Sequence, residues 1–155
     1  TDPSKVDWSK FIEATDNVDG QLDLSKAQID TSGIDFNKVG KYSSALKVKI
    51  KDASGNEGSS NISVVIYDPQ NKEKPTIVVK PEYRKIARDE DPAGINWAND
   101  FIESATDKDG LDIKHSIKAD ISQLDTTTAG TYSVEITATD FVGNEAKVTI
   151  KVTVE

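Results

Sequence analysis

The sequence has no cysteine, no methionine, one histidine, five prolines, and aromatics at only 6% of its 155 residues. Without cysteine there is no disulfide, no thiolate nucleophile and no zinc–thiolate site. Small extracellular domains usually lean on disulfides, so an extracellular chain of this composition must find its stability elsewhere. Without methionine the chain is expected to be a processed or excised segment, with any signal peptide or surface anchor outside it. Basic residues are also scarce. Nineteen of them stand against 27 acids, a net charge of −8. No lysine–arginine cluster is available to displace counterions from phosphates, which argues against nucleic acid as a partner. The same scarcity argues against a basic membrane-surface helix, and no apolar run approaches the roughly 18 residues of a membrane span.

Catalytic signatures are missing as well. His115 is the sole histidine, no Gly-x-Ser-x-Gly elbow is present, and neither a phosphate loop nor His-Glu-x-x-His occurs. His115 reads as a solvated strand residue, and no catalytic or cofactor-binding residue is assigned.

What the sequence does have is a repeat. Asp2-Pro3 and Trp8 return as Asp91-Pro92 and Trp97, and Phe-Ile-Glu at 11–13 returns at 101–103. Ala-Thr-Asp at 14–16 returns at 105–107, Gly40-Lys-Tyr42 as Gly130-Thr-Tyr132, and Asp52-Ala-Ser-Gly55-Asn56-Glu57 as Asp140-Phe-Val-Gly143-Asn144-Glu145. These blocks keep one order, and their offset drifts only between 88 and 91 residues. Self-similarity of this kind marks a duplicated unit. The copies are expected at residues 1–69 and 75–155, joined by a short polar stretch with proline at 69 and 75 that restricts motion and sets them end to end. The first copy has no counterpart of residues 75–89, including the apolar run Thr76 to Val79. It is therefore expected to be truncated, or to be a variant that does without its N-terminal strand. Such a domain exposes a sheet edge.

Within each copy the apolar residues alternate. Val148, Ile150, Val152 and Val154 interleave with polar residues, as do Tyr132, Val134, Ile136 and Ala138, and Leu46, Val48 and Ile50 with lysines. Period two with one wet face predicts antiparallel sheets packed as a sandwich. Asp-x-x-Gly-Asn between the last two strands predicts a hairpin, with Asp52 and Asp140 capping turns that Gly55-Asn56 and Gly143-Asn144 make possible. Short helical turns are expected near Trp8 and Trp97. Gly40 and Tyr42, like Gly130 and Tyr132, stand where an immunoglobulin-type corner ties a tyrosine hydroxyl to upstream backbone.

Together, Ala-Thr-Asp-x-x-Asp-Gly, Gly-x-Tyr, Asp-x-x-Gly-Asn and a closing Val-x-Val strand resemble the bacterial immunoglobulin-like repeats of secreted and cell-wall-anchored proteins, especially from Gram-positive bacteria. The resemblance implies two tandem immunoglobulin-like β-sandwiches at the cell surface or in the cell wall. It implies a non-catalytic stalk that presents a functional domain and has neighbouring repeats as partners. The alternative is an adhesin or carbohydrate-binding module recognising a host protein or glycan.

Two sets of residues bear on that choice. Asp16, Asp19 and Asp23, with Asp107, Asp109 and Asp112 in the second copy, are the metal candidates. Closely spaced carboxylates on a turn suit calcium, and they equally suit Asx-turns that stabilise the loop. Trp8 and Trp97 are expected in core or inter-domain packing, although an exposed tryptophan would offer a platform for a sugar ring.

Overall fold

The computed structural model describes residues 5–155, so the Asp2-Pro3 half of its repeat match lies outside the described residues. The chain is all-β with antiparallel sheets, and it divides into two compact units, Thr1–Tyr67 and Asp68–Glu155.

In the first unit, β1 (Thr15–Asp16) pairs with β2 (Gly20–Gln21). A three-stranded sheet runs in the order β3 (Gln28–Asp30), β4 (Gly40–Lys51), β5 (Glu57–Ile66). The alternation decides which side of β4 faces in. Leu46 and Val48 are buried, while Lys47, Lys49 and Lys51 point to water. Ile12 and Ile34 complete the buried set, with Trp8, Phe36, Ile62 and Val64 packed around it. Between Tyr42 and Leu46 the register with β5 slips. The repeat offset falls from 90 to 88 across this same stretch, so the first copy's two additional residues form a bulge. Ser44 there takes a φ of +52° and donates its N–H to Ser63 Oγ at 3.0 Å.

The second unit has the same plan with one more strand. β6 (Thr76–Val79) pairs antiparallel with β7 (Ile102–Thr106), and opposite them lies the sheet β8 (Lys118–Asp120), β9 (Gly130–Thr139), β10 (Glu145–Val154). A short helix, α1 (Trp97–Phe101), precedes β7 and is capped by Asn96, whose side-chain oxygen accepts from Asn99 N–H at 3.1 Å. The core lies between the sheets and is made of Phe101, Ile102 and Ala105 from one side and Val134, Ile136, Ile150 and Val152 from the other.

Residues 86–88 run parallel to the end of β10. Ile86 N–H donates to Thr153 O at 2.8 Å, Arg88 N–H to Glu155 O at 2.9 Å, and Glu155 N–H returns to Ile86 O at 3.0 Å.

The corner motif forms in both units. Tyr42 Oη donates to the carbonyls of Asp35 and Lys38 at 3.0 and 2.9 Å, and Tyr132 Oη to Thr128 O at 2.9 Å. Both hairpins close as the sequence implies, with Gly55 and Gly143 at φ +87° and +104°, values only glycine adopts without strain. The helical turns also fall where expected, at Trp8–Lys10 and Trp97–Phe101.

Two details differ from expectation. His115 lies on a 3-10 turn, Lys114–Ser116, and not on a strand, because the Asp112 carboxylate accepts the Lys114 N–H and turns the chain there. The polar stretch after Tyr67 belongs to the second unit. Asn71 is 7% exposed, and its amide donates to Asp140 Oδ2 at 2.8 Å and to Glu73 O at 3.3 Å. A linker by composition is thus a fastened segment by structure.

Candidate functional site

The acidic turns were the densest chemistry in the sequence, and each is built from its own hydrogen bonds. After β1 the chain must reverse. Asp16 Oδ1 accepts from Val18 and Asp19 N–H at 2.7 and 2.9 Å, and Gly20 at φ +71° completes the turn. Asp19 Oδ2 then accepts from Ala53 N–H at 2.9 Å, which ties this turn to the β4–β5 hairpin and brings Asp52 alongside. One carboxylate oxygen from each of Asp16, Asp19 and Asp52 lies within 4.8 Å of the others. Asp23 is not among them. It caps the turn Leu24–Lys26 through Ser25 N–H at 2.9 Å, and the hydrogen bonds from Ser25 hold its carboxyl below the usual carboxylate range.

The three acids of the second copy separate. Asp107 is buried and accepts from Asp109 and Leu111 N–H at 2.9 and 2.8 Å. Asp109 grips Lys108 Nζ with both oxygens, and that hydrogen bond, joined by a 3.3 Å pairing with Asp68, raises the lysine's proton affinity. Asp112 starts the His115 turn. With one oxygen from each, the three carboxylates of the first unit supply at most half of the six to eight oxygens calcium takes, and all three already accept backbone donors.

The hairpin aspartates show how far such capping goes. Asp52 accepts Asn56 N–H and side-chain amide at 2.8 and 2.7 Å, and the Asn56 side chain holds its carboxyl below the ordinary value. Asp140 does more. Its Oδ1 accepts from the N–H groups of Val142, Gly143 and Asn144, and its Oδ2 from the amides of Asn144 and Asn71. Burial pushes the Asp140 carboxyl up, but these donors outweigh it and keep it low.

The tryptophans are half-buried and packed on their own cores. Trp97 stacks on Phe101 with centroids 4.9 Å apart and donates Nε1–H to Pro92 O at 3.4 Å, while Trp8 meets Phe36 edge-on at 6.5 Å. His115 is exposed, near Phe141 at 5.9 Å, and shares an open groove with Trp97.

Arg84, Asn71 and the meeting of Asp52 with Asp16 were not singled out by sequence. Arg84 forks onto Glu90 at 2.6 and 2.9 Å and reaches Asp100 at 2.9 Å, which raises its already high proton affinity. It has no repeat partner to draw attention to it. Among the described residues no buried side-chain polar atom lacks a hydrogen bond.

Residues 92–154 match the family model described as bacterial surface protein, Ig-like domain. The second unit thus resembles a bacterial surface immunoglobulin-like domain. Its matched segment takes in α1, the corner tyrosine Tyr132 and the Asp140 hairpin, and leaves β6 outside. The chain is also 28% identical over 143 residues to the pesticidal crystal protein Cry22Aa of Bacillus thuringiensis. That similarity covers 92% of this chain and 18% of the relative, so the chain spans less than a fifth of the relative's length. No helix among the described residues is long and apolar enough to cross a membrane.

Proposed function

We propose that this chain is a non-catalytic spacer: two tandem immunoglobulin-like β-sandwiches that hold a functional domain of a bacterial cell-surface protein away from the wall. The reading is supported above all by the parallel clamp of residues 86–88 on the end of β10. Residues 86–88, which follow β6, and the segment leaving the domain run side by side in one direction. Tension applied to the two ends therefore loads their hydrogen bonds in shear, all at once, where a hairpin would open one bond at a time. The aspartates fit the same role, since their carboxylates serve the turns that close the frame. An extracellular location, in keeping with the surface family, belongs to this reading.

The test is force spectroscopy on the chain held at both ends. The second unit should rupture at a higher force than the first, and Arg88→Pro, which deletes one clamp donor, should lower that force more than it lowers thermal stability. Equal rupture forces for both units, unchanged by Arg88→Pro, would refute the spacer reading.

A second reading, a binding module for a glycan or host protein, draws on the groove of about 590 Å³ beside Trp97 and His115. Retention on a glycan array that disappears with Trp97→Ala would favour it.

A further inference from the structure

The groove beside Trp97 has a counterpart in the first unit, and the two carry opposite charge. Each is lined by the tryptophan turn and by the 3-10 turn that follows the acidic loop: Trp97 with the Lys114–Ser116 turn in the second unit, Trp8 with the Leu24–Lys26 turn in the first. The volumes are alike, about 590 and 520 Å³. At the repeat offset, Asp7 corresponds to Asn96, Asp23 to Ile113, and Leu24 and Ser25 to Lys114 and His115. Asp7 and Asp23 line the first groove, which has no lysine, arginine or histidine among its lining residues. Lys114 and His115 line the second, which has no carboxylate.

Lys114 is the informative member. Among the described residues two lysines are half-buried, Lys80 and Lys114. Lys80 Nζ donates to Asn99 O at 2.6 Å, whereas Lys114 Nζ has neither a hydrogen bond nor an ion pair. The chain has a net charge of −8, yet no acid comes to this cation. Asp91, Asp100 and Asp112 flank the lining segments, and they accept from Ala93 N–H, Arg84 Nε and Lys114 N–H instead. The side-chain amide of Asn99 and the ring nitrogens of His115 likewise have no protein partner, and Asn96 keeps its NH2 free after its oxygen caps α1. The groove therefore holds several unpaired donors, one of them a cation withdrawn from water, beside an indole whose one face is covered by Phe101.

We infer that the Trp97 groove binds a carboxylated saccharide. The inference rests on the binding-module reading, whose ligand class it narrows, and is independent of the spacer role. Trp97 and Ile117 supply apolar surface for the C–H face of a pyranose, the two asparagine amides match its hydroxyls, and the carboxylate pairs with Lys114. A volume of this size falls among small-ligand sites, about 300–1,000 Å³. A neutral sugar would leave the half-buried ammonium without a partner. The first groove, with Asp7 and Asp23 on its lining, repels the same ligand.

The probes are a hyaluronan tetrasaccharide, in which glucuronate alternates with N-acetylglucosamine, and chitotetraose, a neutral chain of equal length. Each is titrated into the full chain and followed by residue-resolved amide and indole N–H chemical shifts. The acidic probe should shift the Trp97 indole N–H and the amides of Asn99 and Lys114 saturably, with a Kd of about 1 mM or tighter, and leave the Trp8 indole N–H unmoved. The neutral probe should bind at least about tenfold more weakly. Lys114→Gln should weaken the acidic probe about tenfold while the neutral probe and the melting temperature stay as they were, and Lys118→Gln, outside the groove, should change none of these. Equal affinity for the two probes at Trp97 would overturn the inference and leave the binding-module reading standing. No shift from either probe up to about 20 mM would overturn the inference and the glycan arm of that reading with it. A response as large at Trp8 as at Trp97, or a Lys114→Gln effect that is absent or shared equally by both probes, would also overturn it.

Discussion

The two units are one plan executed with different amounts of cover. Both have the corner tyrosine, the aspartate-capped hairpin and the alternating strands. Yet the buried core cluster of the first consists of Ile12, Ile34, Leu46 and Val48 alone, while that of the second also holds aliphatic residues contributed from residues 86–102. Local chemistry is equal in the two, and burial is not. Burial supplies most of the stability of a small domain, because each buried aliphatic side chain contributes about 1.5–3 kcal/mol. The second unit should therefore unfold later.

The sharpest way to break that comparison is a pair of substitutions at one repeat position. Phe101→Ala should cost the second unit about 3–5 kcal/mol, while Phe11→Ala should stay within about 0.5 kcal/mol. Urea unfolding read by residue-resolved hydrogen exchange measures both, and equal losses would mean the units are equally well covered. The hairpin caps come next. Asp140→Ala leaves the Asn71 and Asn144 amides and three N–H groups without their acceptor and should cost about 2 kcal/mol. Asp52→Ala should cost distinctly less, since its turn is exposed and its carboxylate holds only the Asn56 N–H and side-chain amide. The corner tyrosines should respond alike. Tyr42→Phe and Tyr132→Phe each delete a hydroxyl that donates to backbone, at about 1 kcal/mol apiece in the same experiment.

Acid should reach both units in sequence. Asp23, Asp30 and Asp52 in the first, and Asp120, Asp125 and Asp140 in the second, have carboxyls held below their ordinary value by hydrogen bonds from their own turns. A depressed carboxyl adds stability above its unfolded value, and that stability is lost as pH falls through the folded one. Melting temperatures should hold down to about pH 4 and then decline, with the thinner first unit melting first. The smallest effect should come from metal. Chelator should leave the melting temperature of the first unit within about 1 °C of its value in millimolar calcium. A larger rise with calcium would turn Asp16, Asp19 and Asp52 from a braced turn into a site.

Much of this was legible in the chain itself, because its signals are local. Alternation over residues 46–50 and 148–154 sets which face of each strand is dry, and Asp-x-x-Gly-Asn sets where the chain reverses, within five residues of its own sequence. The acidic set was legible in type and not in membership. Asp16 and Asp19 do approach one another, but their third neighbour is Asp52 across the Ala53 bond, and Asp23, closer in sequence, turns away to cap Ser25. Sequence distance ranked the neighbours wrongly, because a hairpin returning over a turn brings together residues far apart along the chain.

Asn71 makes the same point from the other side. Its neighbourhood is proline-bearing and polar, a composition shared by free linkers and by docked ones, and only the buried Asp140 carboxylate decides between them. The strand faces and the turn chemistry could be read from the residues alone, because each rests on neighbours a few residues apart. The tertiary structure alone decided that Phe101 is enclosed and Phe11 is bare. Enclosure depends on segments brought over from distant parts of the chain, and two identical Phe-Ile-Glu blocks carry no record of whether such a segment arrives.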